Sequence, residues 1–485
     1  MASIRFVIAV LIASLLFPSH SWSEDNRRRV VAWKFVPMNY SFDENAEEMR
    51  KNDMRAAIEM GLDGFALEAY TYGHALELIS NFSKAADSIG AQNFKFFLVL
   101  DLGAEKFTAE NILELIINNY NNPHYLKYNN RPVLSTYGGQ QRDIDDRWWN
   151  EKVIKPLKIA GHPITFIPYI DRDSPNTIPP TYENWVKLIQ KHPSVDGLLL
   201  FSPPKGVPFY QADPNGGHQK WSGLETEENE AKALHDNQKY FIAPYQPYYW
   251  LTCKGERPYY EYQGGRGMEN FWKSAIYKQR PEMITLITWD DYSESTYVQP
   301  TRIPLTKYPK IETFPHLGYY ELLKYYISWY KTDMVPIITK DAFFYFYRTH
   351  RNEAVASDDS SACPLGRVPE EQKWGLMSDV IYITTALTEP AELVVKTGSK
   401  TTKTYMPAGI HTTDIPFESG SQLFELDRDN KILAKISGRN IDEHPKVYNF
   451  NLYSGYVVVN GKNSEVWEPS DSWKSGFVSD WFITP

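Results

Sequence analysis

Cysteine is scarce in this chain of 485 residues, which contains only Cys253 and Cys363. The two residues lie far apart and match no zinc-ligand or redox spacing. The sequence therefore offers no cysteine-built metal site. A disulfide between the two and a pair of separate buried thiols are both consistent with the pattern.

Excess positive charge is also missing, since 60 acidic residues face 51 Lys and Arg and the net charge is −9. Proteins that bind nucleic acids need a basic stripe on their surface. The one basic cluster here, NRRR at 26–29, lies beside the N-terminus. Nucleic acid is therefore not an expected partner.

Long apolar runs are absent except at the N-terminus. The run at 6–17, followed by the small–x–small pattern SWS at 21–23, predicts a secretory signal peptide over residues 1–23. The run is too short for a membrane anchor, so we expect a secreted, soluble chain. The N-glycosylation acceptors Asn39 and Asn81 agree with export.

Several catalytic signatures are missing too. The chain has no H-E-x-x-H, no G-x-S-x-G and no G-x-x-x-x-G-K-[ST] motif, and its 11 His are scattered. The GGRG stretch at 264–267 does not complete a dinucleotide-binding fingerprint. We therefore expect neither a metal nor an organic cofactor.

Aromatic residues, by contrast, are abundant, with 33 Tyr, 14 Trp and 24 Phe. A core rich in large side chains accounts for most of them. The remainder are suited to stacking on flat, weakly polar faces such as sugar rings, with Tyr and Trp adding a hydrogen-bonding tip.

Eight apolar runs alternate with helical patterns in the first two thirds of the chain. Continuous apolar runs are typical of strands buried on both faces, and eight β–α units predict a (β/α)8 TIM barrel over residues 24–335. The runs are 30–36, 64–70, 94–101, 131–137, 164–170, 197–202, 240–246 and 282–289.

The last part of the chain has a different pattern. Short β-rich runs separated by Gly, Asn, Asp and Pro predict an antiparallel β-sandwich over residues 336–485. Such a domain either binds polysaccharide or braces the barrel. We favour bracing, because no cluster of exposed aromatics stands out.

The stretch ITWDDYSEST at 287–296 follows the eighth run and holds Asp290, Asp291 and Glu294. TIM-barrel enzymes keep their active sites at the C-terminal ends of the strands. A single acid there could equally form a salt bridge or cap a helix, but three so close together destabilise a fold. Paired carboxylates beside aromatic platforms are what glycoside hydrolysis requires.

The spacing of Asp291 and Glu294 constrains how they could act together. Three residues apart on a straight strand, they would point to opposite faces. They converge only if the chain turns just past the strand, and three residues span at most about 10 Å. Inverting and retaining mechanisms both remain open at this stage.

The same stretch, extended to ITLITWDDYSESTYVQP, resembles the strand-eight motif of glycoside hydrolase family 71, the secreted α-1,3-glucanases. The resemblance covers nearly the whole mature chain. It also includes AAIEMGLDGFALEAY, FKFFLVLDL, YNNRPVLSTYGG, SVDGLLLFS, APYQPYYW and, in the C-terminal part, YRTHRNEAVASDD.

The resemblance implies an inverting hydrolase of α-linked glucan. Asp291 and Glu294 fall on the family's catalytic pair, which we interpret as general base and general acid respectively. Trp289 and Tyr292 would shape the sugar subsite, while Glu68 and Asp101 would hydrogen-bond sugar hydroxyls. The other predicted substrate-binding residues are Tyr137, Tyr169, Gln246, Tyr248, Trp250, Arg266 and Asp290.

Some positions depart from the family pattern. Asp290 stands where the family usually has Asn, Ser293 where it has Gly, and Glu68 where it has Asn. The extra charge of Asp290 calls for a cationic partner, and Arg266 and Lys34 are the candidates. A non-catalytic carbohydrate-binding wall protein and a hydrolase of another α-glycan, such as α-mannan, are the alternative interpretations.

Overall fold

A computed structural model describes most of the chain. The predicted signal peptide, the acceptor Asn39 and both cysteines lie outside the described residues, so the predictions for them stay predictions. Asn81 is described and lies partly exposed in a helix. The described residues are 27–35, 46–104, 107–138, 145–170, 181–201, 223–250, 260–300, 312–357, 378–461, 467–468, 470–476 and 479–485.

Eight strands of the described residues are parallel to their neighbours, and each overlaps one of the eight predicted runs. A short antiparallel strand, β4 (Lys127–Tyr128), pairs with the fourth of them, Arg131–Tyr137. The parallel strands are β1 (Arg29–Lys34), β2 (Gly64–Ala69), β3 (Lys95–Asp101), β5 (Arg131–Tyr137), β6 (Thr165–Phe166), β7 (Gly197–Leu199), β8 (Tyr240–Tyr245) and β11 (Met283–Leu286).

The parallel strands form one curled sheet in the order β6–β5–β3–β2–β1–β11–β8–β7. The first and last parallel strands along the chain, β1 and β11, are therefore neighbours in the sheet. At the two ends of the sheet, the Asp196 amide donates to the Phe166 carbonyl at 2.8 Å and the Leu199 amide to the Pro168 carbonyl at 3.2 Å.

Helices follow the strands, and several begin and end with standard caps. Thr71 accepts a hydrogen bond from the His74 amide at the start of the second helix, which ends at Gly90 in the left-handed region. The α-helices are α1 (Ala46–Met60), α2 (Tyr72–Ile89), α3 (Ala109–Asn119), α4 (Asp146–Trp149), α5 (Lys155–Ile159), α6 (Tyr182–Lys191), α7 (Leu224–Asp236), α8 (Gly265–Ser274) and α9 (Leu317–Thr332).

Three further helical segments and two small two-stranded sheets complete the described elements. The segments are the π-helical turns Asn150–Ile154 and Ala275–Gln279 and the 3₁₀ turn Asp471–Ser475. The small sheets pair β9 (Tyr248–Tyr249) with β10 (Tyr260–Glu261), and β12 (Ile337–Ile338) with β21 (Phe482–Ile483).

Two four-stranded antiparallel sheets form the C-terminal part and share a core. The order in the first sheet is β17–β14–β13–β20 and in the second β16–β15–β18–β19. The strands are β13 (Ala342–Arg348), β14 (Val380–Leu387), β15 (Ala391–Thr397), β16 (Lys400–Met406), β17 (Gly409–Pro416), β18 (Gly420–Arg428), β19 (Lys431–Ile441) and β20 (Leu452–Val458).

Strand β13 is buried on both of its faces. Because side chains alternate along a strand, Phe343 and Tyr345 pack into the core between the two C-terminal sheets. Phe344 and Phe346 point the other way, into the larger core that also contains α9 and the parallel sheet. One aromatic strand thus contributes to both hydrophobic cores.

Candidate active site

The aromatic side chains at the C-terminal ends of the parallel strands gather around Trp33 of β1. Its indole N–H donates to Glu68 Oε2 of β2 at 2.6 Å. Its ring contacts Tyr137 and Phe201 edge-on, with centroid distances of 5.8 and 4.8 Å. Tyr137 in turn stacks on Tyr169 at 5.6 Å. Tyr137 and Tyr169 are partly exposed, as a surface that binds sugar rings requires.

Glu68 lies at the base of this aromatic group and is almost fully buried. Burial is the main reason that the pKa of its carboxyl rises to about 8, and the charges of Asp101, Asp291 and Glu294 raise it further against the hydrogen bond from Trp33. Glu68 is therefore protonated at neutral pH. Asp101, Asp291 and Glu294 therefore all lie close enough to Glu68 to act on its carboxyl electrostatically.

The chain turns just after β11, as convergence of Asp291 and Glu294 requires. We call residues 290–295 the acid turn. At its start the Asp291 amide donates to Thr288 Oγ1 at 2.8 Å, and at its end the Thr296 amide donates to the Asp291 carbonyl at 3.3 Å. The turn that convergence requires is present, and both residues belong to the same loop.

Asp291 is held within the acid turn by local donors. Ser293 Oγ donates to Asp291 Oδ1 at 2.7 Å, and the Glu294 amide donates to the same oxygen at 3.0 Å. Burial raises the pKa of Asp291, although these hydrogen bonds oppose the increase. Among the described residues, no Lys or Arg forms an ion pair with it. Among these residues, its charge is therefore stabilised by the dipoles of neighbouring donors.

Glu294 is oriented from the neighbouring strand β9. Tyr249 Oη lies 3.5 Å from Glu294 Oε1, and the Trp250 amide donates to the Glu294 carbonyl at 2.9 Å. The side chain is partly exposed. A carboxyl in this position can meet a substrate while its backbone stays fixed.

Asp290, the residue that departs from the family pattern, has a cationic partner. Lys34 Nζ lies 2.6 Å from Asp290 Oδ2 and 2.8 Å from Asp53 Oδ2, with all three side chains buried. We call these residues the ion triad. The Phe35 amide also donates to Asp290 Oδ1 at 2.9 Å. Burial raises the pKa of Asp290 to about 7, against the opposing charge of Lys34.

Tyr292 connects the acid turn to the ion triad. Its hydroxyl donates to Gln299 Oε1 at 2.8 Å, and the amide of Gln299 donates to Asp53. The ring of Tyr292 stacks on Tyr297 at 4.2 Å. Tyr292 is therefore fixed at both its ring and its hydroxyl.

The other predicted substrate-binding residues are placed differently. Arg266 does not reach Asp290, because it pairs with Asp414 of β17 at 2.6 Å. Of the two candidate partners of Asp290, Lys34 is the one that binds it. Trp289 packs against Phe65. The side chains of Gln246, Tyr248, Trp250 and Trp289 are all buried.

Sequence reasoning missed Asp53, which lies on α1 and far from the strand ends in sequence. The sequence pattern could have indicated that Asp53 is buried, because it lies one residue before Met54 and four before Ala57 on the apolar face of that helix. An acid on a buried helical face calls for a partner. Tyr249 lies in the quoted APYQPYYW stretch and Trp33 in the apolar run 30–36, and neither was assigned a role.

Two absences concern the described residues only. They contain no group of three or more His, Cys, Asp and Glu placed to hold a metal ion. Nor does any of their helices combine the length and apolar character that crossing a bilayer requires.

The comparison with protein families now fixes the class of the protein, which is a glycoside hydrolase. The model described as Glycosyl hydrolase family 71 matches residues 27–466. The chain therefore belongs to glycosyl hydrolase family 71.

Two relatives align with most of the chain. The glucan endo-1,3-alpha-glucosidase agn1 of Schizosaccharomyces pombe is 28% identical over 92% of this chain and 99% of its own length. The mutanase Pc12g07500 of Penicillium rubens is 26% identical over 84% of each chain.

Solved structures are more distant. An endo-alpha-mannosidase of glycoside hydrolase family 99 from Bacteroides thetaiotaomicron aligns with a TM-score of 0.45 and 14% identity, over 61% of this chain and 83% of the other. A score at that level does not establish a shared fold.

Proposed function

We propose that this protein is a secreted hydrolase of α-1,3-glucan that inverts the anomeric centre. The names of its relatives support the substrate. The observation that carries the mechanism is the acid turn, where Asp291 and Glu294 share one loop and the neighbouring acid, Asp290, is already paired with Lys34.

In the proposed reaction Glu294 is the general acid and Asp291 the general base. A water attacks the anomeric carbon and gives its proton to Asp291, while the glycosidic C–O bond breaks and Glu294 protonates the leaving oxygen. Two of the hydrogen bonds within the turn, from Ser293 Oγ and the Glu294 amide, fall on Asp291 Oδ1. Oδ2 is therefore the oxygen that we assign to the water.

The substrate would lie along the partly exposed residues at the strand ends. Tyr137 and Tyr169 provide a stacked aromatic surface, and Asp101 accepts hydrogen bonds from sugar hydroxyls. Glu68, neutral because of its raised pKa, would donate one. Trp289 and Tyr292 would shape the subsite from behind, through the positions of Phe65 and the acid turn.

We further propose that the parallel sheet closes into a (β/α)8 barrel, on the support of the two backbone hydrogen bonds between the segments at its ends. The domain limits 24–335 and 336–485, the signal peptide 1–23 and glycans at Asn39 and Asn81 belong to the same proposal. Secretion follows from the signal peptide.

Reducing-sugar release from insoluble α-1,3-glucan tests this function. α-1,4-Glucan and α-mannan serve as parallel substrates, and the double variant Asp291→Asn/Glu294→Gln serves as the blank. We expect release from α-1,3-glucan alone. Release only from α-mannan would contradict the substrate, and binding without release would indicate a carbohydrate-binding protein.

The stereochemistry is tested by following the newly formed reducing end with proton NMR during the first minutes of hydrolysis. An inverting enzyme acting on an α-linkage releases the β-anomer first. Initial release of the α-anomer would contradict the role of Asp291 as a base.

A further inference from the structure

The short segment Asn449–Asn451, which enters β20 of the first C-terminal sheet, contacts residues that in turn contact the acid turn at two places. We call it the 449–451 segment. Its own conformation is fixed, since Asn449 Oδ1 accepts from the Asn451 amide at 3.1 Å and Asn449 Nδ2 donates to the Glu312 carbonyl at 2.8 Å. The Asn449 amide also donates to His350 Nε2 at 3.0 Å.

One set of contacts leads from Phe450 to Glu294. The Phe450 carbonyl accepts a hydrogen bond from Tyr248 Oη, and its ring lies edge-on to Trp250 at 5.8 Å. Tyr248 and Trp250 flank Tyr249, whose hydroxyl faces Glu294. The Trp250 amide holds the Glu294 carbonyl directly. Phe450 therefore anchors the chain on both sides of the residue that faces the proposed acid.

A second set of contacts leads from Asn451 to Tyr292. Asn451 Nδ2 donates to Tyr297 Oη at 2.6 Å, and Asn451 Oδ1 lies 2.9 Å from His316 Nε2. Tyr297 is sandwiched between His316 at 4.0 Å and Tyr292 at 4.2 Å. These side chains are nearly or fully buried, where a satisfied polar network fixes a single arrangement.

A third contact attaches the C-terminal sheets to the same region as Phe450 does. Arg348 of β13 donates to Glu261 of β10 at 2.9 Å, and both side chains are buried. Strand β10 pairs with β9 and places Glu261 beside Tyr248. The C-terminal sheets therefore hold the β9–β10 pair at two separate points.

We propose that Asn451 is a positioning residue for glycoside hydrolysis, and that the 449–451 segment makes the C-terminal sheets a working part of the active site. This inference rests on the proposed roles of Asp291 and Glu294. The segment touches neither acid itself. It fixes the backbone of Glu294 through Trp250 and the ring of Tyr292 through Tyr297.

The test uses Asn451→Ala in the full chain, with Phe424→Leu as the matched control. Phe424 is fully buried in the core between the two C-terminal sheets, and its ring contacts Tyr345 and Tyr347 rather than a residue of the 449–451 segment. Misplacing a catalytic group by about 1 Å costs about 100-fold in rate. We expect kcat to fall about 10- to 100-fold in Asn451→Ala with KM nearly unchanged, and to stay near wild type in Phe424→Leu at equal folded fraction.

A pair of variants at Tyr297 repeats the test if Asn451→Ala folds poorly. Tyr297→Phe keeps the ring between His316 and Tyr292, whereas Tyr297→Leu removes the stack. We expect Tyr297→Phe, which loses the hydroxyl that Asn451 binds, to turn over more slowly than wild type, and Tyr297→Leu to be slower still. Equal turnover in both, or wild-type kcat in Asn451→Ala, would overturn the proposal.

Hydrogen exchange provides a readout that needs no activity. The amides of Asp291 and Glu294 are hydrogen-bonded inside the acid turn, so loosening the turn increases their exchange. We expect faster exchange in a peptide covering residues 288–299 of Asn451→Ala, but not of Phe424→Leu. Unchanged exchange in Asn451→Ala would overturn the positioning role, whichever glycan the enzyme cleaves. Absence of sugar release from the wild type would contradict the proposed function alone.

Discussion

The ion triad and the acid turn are adjacent in sequence, yet they handle negative charge in opposite ways. In the triad, the single charge of Lys34 is shared between Asp290 and Asp53 in a buried cluster. In the acid turn, Asp291 relies on a hydroxyl and a backbone amide. Neighbouring aspartates therefore have different environments because their side chains leave the backbone in different directions.

The difference separates a structural acid from a reactive one. A carboxylate saturated by a buried cation and an amide has little capacity left for a substrate. A carboxylate that depends on dipoles can exchange protons with a water. Burial raises the pKa of both aspartates, so the buried cation is what distinguishes them. The comparison therefore predicts that Asp290 can be replaced without a large loss of turnover, whereas Asp291 cannot.

The largest expected effect is on turnover in Asp291→Asn and in Glu294→Gln. Removing a positioned general acid or base lowers the rate by about 10²- to 10⁴-fold. Asp290→Asn is the matched control, since it removes the adjacent acid. Reducing-sugar assays on purified, folded variants give the answer. Near-wild-type turnover in either variant would exclude that residue from the catalytic pair.

The second effect concerns stability and comes from Lys34→Met. Removing the cation leaves Asp53 and Asp290 buried together, and breaking a buried ion cluster costs about 3–5 kcal/mol of unfolding free energy. Chemical denaturation measures the loss. Adding Asp290→Asn to Lys34→Met should recover part of it, because one of the two unpaired charges is then gone. No recovery would show that Asp290 does not depend on Lys34.

The third effect is a dependence of stability on pH. Burial raises the pKa of Glu68 and of Glu227 to about 8, and that of Asp290 to about 7. A carboxyl with a raised folded pKa binds its proton more tightly in the folded state, so the unfolding free energy falls as pH rises from about 4 to about 8. We expect a higher Tm at pH 5 than at pH 8.

If the stability of Glu68→Gln falls less steeply with pH than that of the wild type, Glu68 accounts for part of the pH dependence. The variant keeps the shape of the side chain and removes the titrating group. A control at Glu227→Gln should flatten the slope equally, without an effect on turnover, because Glu227 binds Gln279 in the core at 2.9 Å. An identical slope in Glu68→Gln and wild type would contradict the assignment.

The smallest expected effect is that of Asp290→Asn alone. Asn preserves the acceptor for the Phe35 amide and leaves Lys34 paired with Asp53. Turnover should stay within about tenfold of wild type, which corresponds to less than about 1.4 kcal/mol of activation free energy. Michaelis–Menten kinetics on the soluble products of partial digestion would measure it. A loss as large as that of Asp291→Asn would remove the distinction between the two regions.

Local patterns predicted much of the fold. The eight parallel strands were visible because strands buried on both faces read as continuous apolar runs. The acid turn was visible because three acids followed such a run. Strand β17 was not singled out, since its sequence, GIHTTDIP, is mostly polar and half-exposed.

Long-range pairing was not predictable from the sequence. Both Arg266 and Lys34 were suitable partners for Asp290, and the choice depends on how α8 packs against β17 rather than on spacing. The same holds for Asp53, whose partners come from β1 and from the loop after β11. Residues such as Trp289 and Tyr248 were placed correctly near strand ends, but their burial depends on neighbours far along the chain.

Strand β13 has a consequence for how this protein can be divided. Its alternate aromatic residues belong to two hydrophobic cores, so cutting the chain before it would strip packing from both. The two regions should therefore melt in a single calorimetric transition. The C-terminal sheets are then not a detachable module, and engineers who wish to exchange them for another accessory domain would need to supply a new strand in the place of β13.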